Sequence, residues 1–428
     1  MKKFLGIVLA LALLLSCMAL PALAEEPLQL TMYFPVNVGG DAAKLIDQMT
    51  ADFNAENPDI QVQSVYTGNY DDTVTAIQTA IQGGNAPDLF VSLATQRFTM
   101  ADTKMAMPLD DLIAADPEGQ AFIDDFIDGF MLDSYVDGSI YSIPFQRSTM
   151  VMFYNKDAFA EVGLDPEAPP KNWDEMVEYA QKLTNENRYG VGIALNSGSA
   201  QWAFTGFSLQ NCTNGVGLMS ADGKEVYFNT PENIEALQLW LDLQNKYKCM
   251  APGIVQWTDL PTQFLAGEVA MIYHTTGNLT NIKNNATFDF GVCFLPAGRQ
   301  YGAPTGGGNF YITNGISEER QKAAWEFIKF CCSTERAAQW SIDTGYVATR
   351  ESCYETQLLK DYYESFPEAL VAYQQLPYAQ PELTTYSAAE MWRILNDNIQ
   401  AAVTGEMTAA EALEAAQQQG DDLLFDYQ

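Results

Sequence analysis

The chain has 428 residues, 47% of them hydrophobic and 18% charged, with a formal net charge of −33 at pH 7. This is a globular composition, long enough for two domains that each bury a core, and not that of a disordered chain. Its acidity argues against nucleic-acid binding and against electrostatic docking on anionic lipid, but is silent on the charge inside a pocket.

The first residues read as a secretory signal peptide over 1–24. Lys2 and Lys3 precede an apolar run from Phe4 to Leu15, and Ala22-Leu23-Ala24 supplies small residues for cleavage. Removing them takes the net charge from −33 to −35. Leu14-Leu15-Ser16-Cys17 loosely resembles a lipoprotein signal and leaves anchoring at Cys17 as an alternative, with cleavage after Ala24 favoured. Either way the chain is expected outside the cytoplasm, periplasmic or at the cell surface.

Beyond that leader, Leu28, Leu30, Met32 and Phe34 alternate with more polar neighbours and predict a strand. Leu45, Ile46, Met49 and Phe53 follow with helical spacing, ended by Asn57-Pro58. Ile60 to Tyr66 returns to strand. Val74, Ile77 and Ile81 mark a second helix stopped by Gly83-Gly84, and Leu89-Phe90-Val91 makes another strand. This β-α-β rhythm predicts an α/β fold, an open sheet with helices on both faces. Further on, Asn172 with Glu175, Ser387 with Glu390, and Thr408 with Glu411 have the spacing of capping boxes, and Thr230-Pro231 places a cap and a first-turn proline before Ile234. No flexible linker separates the halves, so the chain is expected to cross between lobes more than once.

Cofactors and metals are not expected. The cysteines beyond the leader (Cys212, Cys249, Cys293, Cys331, Cys332 and Cys353) form no C-x-x-C pair, and their pairing is open. His274 is the one histidine, which removes H-E-x-x-H sites, and no G-x-S-x-G elbow supports a serine triad. The run Pro304-Thr-Gly-Gly-Gly-Asn-Phe310 lacks the Lys-Ser or Lys-Thr of a nucleotide loop. Its bare amides can instead wall a ligand pocket, with a plain turn between strands as the alternative.

Several strings, in order along the chain, resemble the extracellular solute-binding proteins of bacterial ABC importers: FNAENPDIQVQSVYTGNYDD from Phe53, GGNAPDLF, PFQRSTMVMFYNKDAFAEVGLDPEAPPKNWDEM, FLAGEVAMIYHTTGNLTNI and SIDTGYVATRESCY. Within that family NAENPD, YTGNY, PFQRST, YNKDAF and TGY resemble the branch that binds glycerol-3-phosphate and glycerophosphodiesters. The resemblance implies a two-lobed periplasmic-binding-protein-like fold, a ligand cleft between lobes, hinge closure, and docking on an ABC permease, with the protein a monomer. Expected boundaries are 25–145 plus 277–333 for lobe 1 and 146–276 plus 334–428 for lobe 2.

Carried over by position, the ligand-binding residues implied are Asp71, Ser148, Trp202, Thr276, Gly306, Tyr346 and Arg393. Arg393 would offer a planar fork to phosphate near a helix start. Tyr346, Ser148 and Thr276 would present hydroxyls, Trp202 an apolar face for a polyol or sugar, and Asp71 an acceptor for ligand hydroxyls. Taken singly, each has an ordinary alternative: a surface ion pair for Arg393, core for Trp202, a helix-start charge for Asp71.

The chain departs from the branch at Phe34-Pro35, where a Trp-His pair is usual, at Asp71, where a glutamate is expected, and at Asn309. These departures point to an altered headgroup, such as a glycerophosphodiester. A neutral sugar or oligosaccharide remains the alternative ligand. A secreted glycoside hydrolase is the alternative of another class, without a motif that places two carboxylates across a cleft.

Overall fold

The computed structural model describes residues 26–36, 38, 41–196, 199–213 and 215–428. The leader and Cys17 lie outside these. Among the described residues eleven strands form: β1 (Leu28–Phe34), β2 (Ile60–Tyr66), β3 (Leu89–Leu93), β4 (Tyr135–Val136), β5 (Ser139–Ile140), β6 (Ile143–Asn155), β7 (Tyr189–Gly192), β8 (Val269–Thr275), β9 (Phe290–Cys293), β10 (Ala303–Ile312) and β11 (Ala379–Pro381). Strands β4 and β5 make a small hairpin, and the rest join one sheet in the order β2-β1-β3-β10-β6-β8-β7, with β11 beside β10 and β9 beside β6.

The first lobe grows from the alternation read in β1. Leu30, Met32 and Phe34 face inward, and β2 and β3 pair with β1 in parallel. Helix Ala42–Glu56 buries Ile46, Met49 and Phe53 on the same core, while helix Tyr70–Gln82 buries Ile77. The second helix starts on a complete capping box: Asn69 accepts from the Asp72 amide at 3.0 Å, and Asp72 accepts from the Asn69 amide at 3.1 Å.

Two long strands carry the chain between lobes. The Ile143–Gln146 end of β6 lies against β10, whereas Met150–Tyr154 pairs with β8. Strand β10 runs the other way: Gly308–Ile312 pairs with β3, and Ala303–Thr305 with β11. All thirteen residues of β6 are buried, as a strand covered on both faces requires. A third crossing lies between Tyr346, in the first lobe's core, and Leu383, in the second's.

The second lobe closes around Trp240, Phe204 and Phe207, with helices Ala200–Asn211, Pro231–Asn245, Ala388–Val403 and Ala409–Leu424 contributing buried faces. Leu279, Ile282 and Phe290 pack with Val151 and Phe153 of the second lobe, while Trp340 and Tyr346 pack with Phe145 and Phe310 of the first. Hydrophobic contact follows β10 from one core, at Ala303, to the other, at Phe310.

The caps divide. Thr408 and Glu411 make a full box, and Thr230 caps helix Pro231–Asn245. Asn172 accepts from the Glu175 amide, but Glu175 reaches back to Lys171 N instead of the cap residue. At Ser387 the expected box is absent: the residue sits at φ +52° with no side-chain cap bond, and Glu390 pairs with Arg393. Cys331 and Cys332 are buried, unbridged members of the first lobe's core.

Candidate functional site

Between the lobes lies a cavity of about 290 Å³. The first lobe contributes Asn69, Tyr70 and Asp71 from the start of helix Tyr70–Gln82. The second contributes Gln201 and Trp202 from helix Ala200–Asn211, Trp257 and Thr258 from a loop, and Trp392 from helix Ala388–Val403. The crossing strands supply the floor, with Ser148 of β6 opposite Gly306 of β10, and Tyr346 and Glu382 beside them.

The three glycines of β10 each have a different cause. A Cβ on Gly306 would stand 2.8 Å from the Trp202 ring. On Gly307, at φ +93°, it would stand 1.9 Å from the Gln146 carbonyl oxygen. On Gly308 it would meet Val91 at 2.9 Å and the Tyr70 hydroxyl at 3.0 Å. The run is a pocket wall at Gly306 and Gly307 and a packing contact at Gly308. Thr305, just before it, accepts through its carbonyl from Trp202 Nε1 at 3.1 Å, which fixes the indole plane over the glycine.

Trp257 is held from behind. Its ring lies 5.4 Å from that of Trp202, and it stacks on His274 at 3.7 Å. Asn278 donates to His274 Nδ1 at 3.0 Å, so the other ring nitrogen carries the proton and donates to the Trp257 carbonyl at 3.2 Å. Burial depresses the imidazole to about 3, against a smaller opposing effect of that carbonyl. His274 is therefore a neutral support for a pocket aromatic.

Beneath the floor is a buried ion network. Asp133 accepts from Arg97 at 2.8 Å and from Arg147 at 2.7 Å, and Thr305 Oγ1 donates to it at 3.2 Å. Arg147 also donates to Asn309 Oδ1 at 3.1 Å, and Asn309 donates on to Ser142 at 2.9 Å. Asn309, which stood out in the sequence as a departure, is an internal tie between β6 and β10.

Of the expected site residues, Asp71, Ser148, Trp202, Gly306 and Tyr346 line the cavity together. Tyr346 is held by Trp340, whose ring lies parallel at 6.0 Å. The Asp71 carboxyl is raised above its usual range, first by partial desolvation and then by Asp72. Thr276 and Arg393 do not line it. Thr276 is buried and accepts the Thr149 amide at 3.3 Å, while its neighbour Thr275 faces the cavity.

The Arg393 side chain is 56% exposed and bonds Glu390 at 2.6 Å and Asp397 at 2.9 Å. The expected phosphate fork at Arg393 is thus not in the cavity. With Ser387 outside the box geometry, the helix presents Trp392 to the cleft and turns Arg393 to solvent, one residue and about 100° around. Phe34, likewise, faces the first lobe's core, and Val38 lines the cavity nearby.

Sequence reasoning did not single out Trp257, Trp392 or Glu382. Trp392 was one position from a residue that was chosen, and its place on the apolar side of the helix was the available signal. No lysine or arginine is among the described residues that line the cavity. Among the described residues there is also no metal-holding cluster, and no helix long and apolar enough to cross a membrane.

A continuous sheet whose strands β6 and β10 bridge two cores, above a polar and aromatic cavity walled from both sides, defines a two-lobed ligand-binding protein. The chain belongs to the bacterial extracellular solute-binding protein family, whose model matches residues 48–367. It is thus an extracytoplasmic solute-binding protein of the kind that serves ABC importers.

It is 30% identical, over 90% of its length and 89% of the relative's, to the sn-glycerol-3-phosphate-binding periplasmic protein UgpB of Pectobacterium atrosepticum. It is 29% identical to UgpB of Escherichia coli K12, over 92% of each chain. In fold it is similar to Mycobacterium tuberculosis UgpB, solved in complex with glycerophosphocholine (TM-score 0.81, 24% identity, 94% and 98% of the two chains). It is also similar to the cyclic alpha-maltosyl-1,6-maltose binding protein of Arthrobacter globiformis (TM-score 0.80, 23% identity, 94% and 100%).

Proposed function

We propose that this protein captures a glycerophosphodiester or glycerol-3-phosphate between its lobes, closes on it by hinge motion, and delivers it to an ABC permease. The names of its relatives support that ligand class. The observation that carries the reading is a cavity of about 290 Å³ walled by hydrogen-bonding groups of both lobes. That volume is near the lower end of ligand pockets and suits a small solute over a long oligosaccharide.

Within the class the diester fits better. A phosphomonoester carries close to two negative charges at neutral pH, and no cation is among the described residues that line the cavity to meet them. A diester carries one, which neutral donors can hold: the Ser148 hydroxyl, the glycine amides of β10 and Thr258. Trp202, Trp257 and Trp392 would face its headgroup, and aromatic faces attract a quaternary ammonium.

A second reading, a neutral sugar or polyol, is favoured by the same absence of lining cations, since indole faces and carboxylates also suit sugar carbons and hydroxyls. Thermal unfolding against glycerophosphocholine, glycerol-3-phosphate and maltose separates them. A ligand that binds only the native state adds about 2.7 kcal/mol at a hundredfold excess over its dissociation constant. A shift with glycerophosphocholine above the others supports the proposal. A shift with maltose alone replaces it with the sugar reading.

A further inference from the structure

Glu382 follows β11 at the floor of the cavity and is 4% exposed. Among the described residues its carboxylate makes no hydrogen bond and no ion pair, although its own backbone carbonyl accepts from Thr384. The charged ends of the buried arginines nearby are bonded elsewhere. Asp133 takes both Arg97 and Arg147, the second terminal nitrogen of Arg147 is on Asn309, and Arg147 Nε, though unpaired, makes no bond to Glu382. A buried acceptor without a donor is costly, and native chains rarely keep one without a use.

We propose that Glu382 is a ligand-contacting, specificity-determining residue that accepts hydrogen bonds from hydroxyl or N–H donors of the bound solute. This deepens the proposed capture function and rests on it. Its two carboxyl oxygens accept, and the protonated form also donates once, which matches a pair of neighbouring hydroxyls that do both. A phosphate placed there would sink its charge into the same buried floor, beside Asp133, that already disfavours charge on the carboxyl.

The polyol end of a glycerophosphodiester therefore sits inward on Glu382. Its phosphate lies on the Ser148, β10-amide and Thr258 donors, and its headgroup toward the tryptophans. The groups that face Glu382 fit this assignment. Burial first and then Asp133 push its carboxyl well above the usual carboxylate range, against a smaller opposing effect of Arg147 below. The Tyr70 hydroxyl, near enough to feel Glu382, is already donated to Gln146 at 3.1 Å.

The test compares wild type, Glu382→Gln and Glu382→Ala, with Glu390→Gln as a control that removes an exposed carboxylate outside the cavity. In the empty protein at pH 7.5, Glu382→Gln is expected to melt at or above the wild-type temperature, because the carboxylate it removes has no partner to lose. Melting more than about 3 °C lower, with Glu390→Gln unchanged, would make Glu382 a structural residue and overturn the proposal.

In calorimetric titrations with glycerophosphocholine, glycerol-3-phosphate and maltose, both Glu382 variants are expected to bind the wild type's preferred probe at least about tenfold more weakly. Glycerol-3-phosphate should gain relative to that probe in Glu382→Gln. Affinities within twofold of wild type for every probe would overturn the proposal while leaving capture intact. If no probe binds the wild type, the capture reading for those solutes fails, and the ligand-free melting comparison still decides whether Glu382 is structural.

Discussion

Replacing Gly306 by alanine tests how the glycine run serves the cleft. The new methyl carbon would stand 2.8, 2.9 and 3.0 Å from Cζ2, Cε2 and Nε1 of Trp202, where ordinary contact begins near 3.4 Å. The indole must back away by roughly 0.6 Å, and its 3.1 Å bond to the Thr305 carbonyl then lengthens beyond hydrogen-bond range. Overpacking of this kind costs about 1–3 kcal/mol, and an unsatisfied buried N–H about 1–3 kcal/mol. The ring's freedom to shift toward the cavity puts the expected total near 2–4 kcal/mol.

Gly306→Ala should therefore fold, with a lowered urea midpoint and ligand affinity reduced by about tenfold or more, because the displaced ring is a cavity wall. Gly307→Ala should behave differently. Its methyl meets a backbone oxygen of β6 at 1.9 Å in a conformation that side chains disfavour, so little folded protein is expected. Urea unfolding and ligand titration of the two variants side by side decide the matter. Wild-type stability and affinity in Gly306→Ala would refute the account of the glycines.

Other outcomes follow from the same geometry. His274 is neutral when folded, with its imidazole depressed to about 3 from 6.5, so the unfolded chain takes up the proton first. Its contribution is intact above pH 6.5 and is lost as pH falls toward 3, amounting to about 5 kcal/mol in order of magnitude. His274→Gln should flatten the fall in urea midpoint between pH 6.5 and 4; an unchanged slope contradicts the assignment. Asp133→Asn leaves Arg97 and Arg147 short of a counter-charge and should cost about 3–5 kcal/mol in equilibrium unfolding. Arg393→Ala removes only exposed pairs on its own helix and should change ligand affinity by less than about twofold in calorimetry.

The elements of the first lobe were legible because local signals and burial agree there. The alternation over 28–34 points one face of β1 at the core, and Asn57-Pro58 and Gly83-Gly84 fall where helices Ala42–Glu56 and Tyr70–Gln82 stop. The second lobe's helix Ala200–Asn211 is buried on every side and carries no such periodicity. Ser387-x-x-Glu390 matches a capping box in spacing, yet Ser387 adopts a left-handed conformation and the helix phase comes from packing of Met391, Trp392 and Leu395. A register set by tertiary contact turned Trp392, not Arg393, into the cleft.

The ion network was also beyond local reading. Asn309 lies 162 residues from Arg147 and meets it, and through it Asp133, only because β6 and β10 run side by side. The Trp257–His274 stack joins a loop to β8 in the same way. Pro304–Phe310 shows both sides of the matter: the glycines marked a close approach, and only the fold says that Trp202 and Gln146 are what approach them.

The central claim is that solute is captured in the cavity walled by Trp202, Trp257 and Trp392. Its most direct test is an equilibrium titration of tryptophan fluorescence with glycerophosphocholine, in wild type and in Trp202→Ala. A saturable change in the wild type that weakens by about tenfold or more in the variant is predicted, as for a buried aromatic anchor. A saturable change of equal affinity in Trp202→Ala would place binding elsewhere, and no saturable change in the wild type would contradict capture of this ligand.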